Sequence, residues 1–317
     1  MCNSFIGIDV SKEKLDICIL RNNKLTTKIY DNNVGGYELL ISFIKSKKLS
    51  PHICMESTGK YSLGSATHLH EAGYKVSILN PLRIRAYRNT QLLRNKTDKY
   101  DAQIIAEFCK LYIPEQWHPA TSEFSELKEL FRCMQSYQED KIRYQNKLEL
   151  VSKDSKMRKL MQKSIKHTEN QIKELEEIID SHIASHCEMQ KNCKNLQTIP
   201  GIGKKTAIAI LAEIPDLRNY KSARKLASHA GLTPMHNQSG SSVKGRAKIS
   251  KIGSGNLRKA LYFPAITAIN FNKTMITFSK RLEERGKRKM VIIAAVMRKL
   301  IHVIFAILKN GVEFKEI

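Results

Sequence analysis

Four carboxylates stand in the first hundred residues at places where they could act together. Asp9 sits in Gly7-Ile8-Asp9-Val10, inside an apolar run, and Glu56 closes the apolar run His52–Glu56. Asp98 and Asp101 follow in Lys96-Thr97-Asp98-Lys99-Tyr100-Asp101-Ala102. A spacing of three places two residues on one face of a helix, and Thr97 is a suitable cap for its start. Carboxylates gathered without a counter-charge raise one another's pKa, which is costly. Mg²⁺ or Mn²⁺ resolves that cost, because both prefer hard oxygen ligands. Two such ions about 4 Å apart stabilise the attacking and the leaving oxygen in phosphoryl transfer. Metal-assisted phosphoryl transfer is therefore the chemistry this set points to. Singly, the acids are unremarkable, and Asp16 and Asp31 read as turn or surface residues. Arg83, Arg85, Arg88, Arg94 and Lys96 precede the last two acids. They suit either a phosphate track or a solvated helix face.

A second constellation lies downstream. Leu196 to Ala207 reads as two helices joined by Pro200-Gly201-Ile202-Gly203, like a helix-hairpin-helix. Such a turn offers backbone N–H groups and a helix amino terminus to a phosphate. Lys204 and Lys205 add charge there, although a plain interhelical turn has the same form. Gly231-Leu232-Thr233-Pro234 comes next, then His236-Asn237-Gln238-Ser239-Gly240-Ser241-Ser242. Lys244, Arg246, Lys248, Lys251 and Arg258 follow and are candidate nucleic-acid contacts together with Lys204 and Lys205. A serine in so basic a stretch can be set against a phosphorus, with cations stabilising the developing charge. Composition alone favours a flexible Ser/Gly loop.

The chain has 317 residues and a formal charge of +24, an excess that attracts polyanions such as nucleic acid. Residues 1–120 hold 17 Lys and Arg against 11 Asp and Glu, residues 121–190 hold 12 against 13, and residues 191–317 hold 25 against 6. The carboxy-terminal third is thus the expected main nucleic-acid surface. Seven cysteines with no C-x-x-C pair, and no leader-like start, read as a protein of the reducing cytoplasm. His182, His186, Cys187 and Cys193 lie close in sequence, but their spacing fits no common zinc finger. The apolar run Val291–Leu308 carries Arg298, Lys299 and His302, so it reads as a buried or partner-facing helix, with no membrane span.

The elements that must position these residues are legible from periodicity. Phe5–Val10, Leu15–Leu20 and Leu25–Tyr30 read as strands separated by short polar turns. Helical spacing covers Val34–Lys47, Lys60–Ala72, Pro81–Leu93 and about Asp98–Tyr112, with strands at His52–Glu56 and Lys75–Leu79. That order is the order of a ribonuclease-H-like α/β domain. Were the strands of Asp9 and Glu56 adjacent and parallel, both acids would emerge near one edge of the sheet. Residues 121–190 are poor in Gly and Pro, and Ile165, Ile172 and Ile179 recur every seven residues beside Thr168, Leu175 and His182. Such a seam serves a helical hairpin and an oligomer contact equally well. From 191 onward the pattern is basic and mostly helical.

With these motifs in order, the chain resembles the DEDD transposases of bacterial insertion sequences, a group that includes relatives of the Piv DNA invertase and the bridge-RNA-guided recombinases. The resemblance rests on Gly7 to Lys12, Met55 to Gly59, Lys96-Thr97-Asp98 with Asp101-Ala102, Ile199 to Gly203, and Gly231 to Pro234 continuing through Ser239-Gly240 to Ile249–Gly253 and Leu257-Arg258. It implies an α/β plus α architecture. This comprises a RuvC-like catalytic domain (1–120), a helical coiled-coil region (121–190) and a mostly helical carboxy-terminal transposase domain with the hairpin motif (191–317). It implies Mg²⁺ (or Mn²⁺) on Asp9, Glu56, Asp98 and Asp101. It further implies a serine nucleophile that becomes joined to DNA. Ser239 matches that position best, with Ser241 and Ser242 as neighbours. The implied partners are double-stranded donor and target DNA, a guide RNA encoded by the element, and further copies of the chain in a homodimer or homotetramer. Two other readings use the same residues: a hydrolytic RuvC-like junction resolvase with water as nucleophile, and a non-catalytic DNA-binding protein.

Overall fold

The computed structural model describes residues 4–91, 98–153, 155–214, 216–235, 238–239, 243–244 and 248–315. The chain divides into two compact units, Met1–Pro119 and Ala120–Ile317.

The first unit opens with β1 (Ser4–Val10), β2 (Lys14–Arg21) and β3 (Lys24–Asp31), continues through α1 (Val34–Ser46), β4 (Pro51–Glu56), α2 (Lys60–Glu71) and β5 (Lys75–Leu79), and ends with α3 (Pro81–Thr90) and α4 (Asp98–Tyr112). The five strands form one sheet in the order β3-β2-β1-β4-β5. The first three are antiparallel, while β4 and β5 join parallel to β1. An antiparallel meander extended by two parallel strands, with helices in the connections, is the ribonuclease-H-like arrangement that the element order led us to expect. Strand alternation splits the side chains between two layers. Ile6, Ile8, Val10, Leu15, Ile17, Ile19, Ile53, Met55 and Val76 pack with Tyr37, Leu40 and Ile44 of α1 and Ala66 and Leu69 of α2. The opposite parity carries Gly7, Cys18 and Cys54, and this face receives α4 through Ala102, Ile105, Ala106 and Cys109.

The second unit begins with two long helices, α5 (Ser122–Glu149) and α6 (Lys156–Ser185), which pack along one another. The heptad seam of α6 faces this contact: Thr168, Ile179 and His182 are buried, and Ile172 and Leu175 pack against the core. His182 Nε2 meets the Glu123 carbonyl at 2.9 Å, and His186 Nδ1 meets the His182 carbonyl at 2.7 Å, so these histidines are engaged with backbone. Next come α7 (Cys187–Gln197), α8 (Lys204–Glu213), α9 (Ala223–His229) and four two-residue strands, β6 (Pro234–Met235), β7 (Gln238–Ser239), β8 (Val243–Lys244) and β9 (Lys248–Ile249). The unit closes with α10 (Gly255–Ala260), α11 (Tyr262–Phe271), α12 (Lys273–Glu284) and α13 (Lys289–Asn310). β6 pairs with β9 and β7 with β8. Helix α13 is apolar enough to attract attention as a membrane span, yet Ile293, Val296, Leu300, Ile301 and Ile304 are buried in this unit's core. It ends at Gly311, whose φ of +64° supplies the left-handed cap.

Candidate active site

Asp9 and Glu56 are placed by strand register. In the parallel β1–β4 pair Gly7 lies beside Cys54 and Ile8 beside Met55, so the next step brings Asp9 beside Glu56 at the carboxyl ends of both strands. In-register neighbours share a face, and this one is the face covered by α4. The helix can lie there because residue 7 is glycine. A Cβ on Gly7 would meet the Ala102 carbonyl oxygen at 2.1 Å and the Ala106 nitrogen at 2.3 Å. The close approach fixes α4 two residues below Asp9 on β1. Its first turn, which begins at Asp98 and includes Asp101, is thereby directed to the strand ends.

Asp101 is buried and bonded to the guanidinium of Arg88, which projects from α3. Arg88 Nε is buried with no partner among the described residues, so the bond to Asp101 is a main anchor of that side chain. Among the described residues, the carboxylate oxygens of Asp9, Glu56 and Asp101 do not all fall within 4.8 Å of one another. Asp101 turns to Arg88 instead. The Asp98 side chain lies outside the described residues, as do Arg94, Lys96 and Thr97.

A fifth acid faces the same place. Asp16 lies directly opposite Asp9 in the β1–β2 register, is 5% exposed, and pairs with Lys14 at 3.0 Å. The sequence reading of Asp16 as a turn or surface residue is thus corrected. It stands just after the polar turn Ser11–Lys14, but pairing of β2 between β1 and β3 carries it into the sheet. The residues fit a divalent cation: the donors are carboxylate oxygens on a half-buried sheet edge, and a positive charge already rests on Asp101. Nucleases of this fold class generally use divalent metal ions.

Below the acids on the same face, Cys54 and Cys109 are buried. Burial pushes the Cys54 thiol up, whereas its hydrogen bond to Cys109, reinforced by His52, holds Cys109 down at about 6.

In the second unit, α7 and α8 are joined by a tight turn in which the Ile202 amide donates to the Ile199 carbonyl at 2.9 Å. Gly201 has φ +101°, and a Cβ there would sit 2.7 Å from the Pro264 carbonyl. Lys204 and Lys205 open α8, but both are already paired, with Asp180 at 2.7 Å and Glu176 at 2.6 Å. Ser239 is on β7, paired with Val243, and Lys244 is on β8 opposite Gln238. Lys248 and Lys251 are exposed. Arg258 donates to the Ala230 carbonyl at 2.9 Å and reaches the Lys251 carbonyl at 3.4 Å, which pins the two ends of the segment between them. Arg246, Ser241 and Ser242 lie outside the described residues, as does the side chain of Ser239.

Two family models match the chain, a DEDD transposase model over residues 6–153 and the Transposase IS116/IS110/IS902 family model over residues 193–280. The pilin gene-inverting protein of Moraxella bovis is 33% identical over 99% of this chain and 98% of its own length. The chain belongs to the IS116/IS110/IS902 transposase family. As a transposase it is a DNA-cleaving, recombining enzyme. The transposase for insertion sequence element IS1111A of Coxiella burnetii is 21% identical over 96% of this chain and 89% of its own. A solved structure, T. thermophilus RuvC in complex with Holliday junction substrate, aligns over 35% of this chain and 94% of that one, with 13% identity and a TM-score of 0.27. In this transposase, sequence reasoning put forward Asp9, Glu56, Asp98 and Asp101 as the candidate acids. It passed over Asp16 and the specific role of Arg88, because both depend on which strand and helix become neighbours.

Proposed function

We propose that this transposase excises and inserts an insertion sequence by metal-dependent strand cleavage and exchange through a serine-linked intermediate. The observation that supports it best is the register that brings Asp9 beside Glu56 under the first turn of α4, which carries Asp98 and Asp101. These four residues would hold Mg²⁺ or Mn²⁺. When bound, the metal supplies Lewis-acid polarisation of the scissile phosphate. Ser239 is the nucleophile in this reading. Its Oγ loses a proton, forms a bond to phosphorus and displaces a sugar hydroxyl, and the phosphodiester energy is kept in the serine ester. Reversal against a second DNA hydroxyl rejoins the strand and frees the serine.

The +24 chain, most basic after residue 190, suits double-stranded donor and target DNA. In this reading the hairpin of Gly201 and Gly203, with Lys204, Lys205, Lys244, Arg246, Lys248 and Lys251, grips phosphates, while Arg258, a candidate contact by sequence, clamps the Ala230 and Lys251 carbonyls. An element-encoded guide RNA supplies sequence choice by base pairing. The chain works as a homodimer or homotetramer, with acids and serine contributed by different copies.

The experiment is a cleavage reaction on element-end DNA resolved on denaturing gels. A protein-linked strand is expected, absent in Ser239→Ala and in Asp9→Asn, with site choice lost after ribonuclease treatment. Cleavage that persists in Ser239→Ala without an adduct would instead make water the nucleophile and the enzyme a hydrolytic resolvase.

A further inference from the structure

Three soft ligands meet in the core of the first unit, beneath the carboxylates on the face that receives α4. His52 and Cys54 lie two apart on β4 and so share the face that receives α4, where Cys109 meets them. One ring nitrogen of His52 and the Sγ atoms of Cys54 and Cys109 lie within 4.8 Å of one another, and all three residues are 0% exposed. This is the one such group among the described residues. Two thiolates on a tetrahedral ion at about 2.3 Å stand about 3.8 Å apart, so the spacing allows a shared ion.

The hydrogen bonds around His52 select a ligand state. Ser77 has one hydroxyl proton, and its Oγ lies 2.6 Å from the Glu115 carbonyl. That carbonyl can only accept, so the proton goes there. His52 Nε2, 2.8 Å from the same Oγ, must then be the donor. The lone pair is left on Nδ1, which is buried and has no hydrogen-bond partner. A buried acceptor left without a partner is costly. A metal-ligating histidine has this same form: neutral, with its other N–H held by an outer partner.

We propose that His52, Cys54 and Cys109 supply three of the ligands of a site for a thiophilic metal ion, with Zn²⁺ as its natural occupant. Two thiolates and a neutral imidazole leave a bound Zn²⁺ with no net charge, which suits a fully buried position, whereas Cu⁺ would leave one uncompensated negative charge. The ion would tie β4 to α4 directly below Glu56 and load as the domain folds. The proposal is independent of the DNA chemistry.

The test uses the full chain. Metal content by mass spectrometry after dialysis is expected to show about one zinc per chain, falling to background in Cys109→Ser and Cys54→Ser. Replacement by Co²⁺ should give a thiolate-to-cobalt charge-transfer band. Cys18→Ser, a buried cysteine on the same sheet face but outside the cluster, and Asp9→Asn should keep both signals. Copper in place of zinc at the same stoichiometry would overturn the choice of ion. Absence of zinc, with no charge-transfer band when the wild-type chain is refolded with Co²⁺, would overturn the site, and this holds even if the cysteine variants fail to fold.

Discussion

Asp16 on β2 stands directly across from Asp9 on β1, two carboxylates on one sheet face at adjacent strands. Opposed like charges destabilise a sheet by a few tenths to about 1 kcal/mol. Lys14, 3.0 Å from Asp16, offsets part of that. In chelator, Asp16→Asn is therefore expected to unfold at equal or higher temperature than the wild type. In excess Mn²⁺ the order should reverse, because the variant has lost a negative charge facing the metal. Thermal unfolding with and without Mn²⁺ checks this. A variant that responds to Mn²⁺ as strongly as the wild type would remove Asp16 from the metal's surroundings.

Arg88 holds Asp101 from α3. With the guanidinium gone, a largely buried carboxylate loses its counter-charge. The pair is partly open to solvent, so a loss of about 1–3 kcal/mol is expected for Arg88→Gln in chelator. The freed carboxylate should then take a divalent ion more readily. The stabilisation brought by Mn²⁺ is expected to exceed that of the wild type, as calorimetric titration and melting curves would show. Equal metal affinity in both proteins would mean that Arg88 does not compete for Asp101.

Gly7→Ala is expected to be among the most damaging substitutions in the first unit. The new Cβ would strike two backbone atoms of α4 at 2.1 and 2.3 Å, so the helix must lift off the strand that carries Asp9. A loss of more than about 3 kcal/mol is expected in denaturant unfolding, together with loss of cleavage. Gly59 gives the contrast. Nothing lies within 4 Å of a Cβ there, and only its φ of +65° resists, so Gly59→Ala should cost about 1–3 kcal/mol.

Why some of this was legible and some not follows from the range of each signal. Strand alternation at Phe5–Val10 and helical spacing from Asp98 are local, and both elements stand where their periodicity put them. Glu56 was legible because it ends an apolar run. The burial of Asp16 was not, since a carboxylate next to a turn looks the same whether its strand is central or at an edge. Arg88 lay in a run of basic residues that fits a phosphate track and a solvated face equally. Only the packing of α3 on α4 gives it Asp101. The seam of α6 was equally legible as hairpin or oligomer contact, and α5 covers it within the chain.

Stability is expected to fall as acid is added below neutrality. Desolvation by neighbouring groups is the largest influence on His229 and, with Lys128, holds its pKa below the ordinary 6.5 despite Glu213. His302 is shifted the same way by burial, Arg298 and Arg224. As the pH drops through about 6.5 the unfolded chain takes up protons that the folded chain refuses, so the unfolded state gains. The loss continues down to the folded pKa values and then levels off. Urea midpoints measured from pH 7.5 to 5 should decline, and His229→Gln should flatten part of the slope. An unchanged slope in that variant would assign the acid sensitivity elsewhere.

The basic residues of the second unit should separate by salt dependence. Lys248 and Lys251 are exposed, so replacing both by Gln is expected to lower the slope of log affinity against log salt for duplex DNA by about two. Lys204 and Lys205 are tied to Asp180 and Glu176, and DNA must compete with those acids. Their double Gln variant should lose less slope, and Asp180→Asn with Glu176→Gln should raise affinity. Arg258 is bonded to two backbone carbonyls, where its loss leaves the Ala230 and Lys251 carbonyls without that donor. Arg258→Met is therefore expected to lower the unfolding temperature while changing the salt slope by less than one. Filter binding across a salt series, paired with melting curves, checks all four variants. A full unit of slope lost in Arg258→Met at unchanged stability would make Arg258 a phosphate contact and not a clamp.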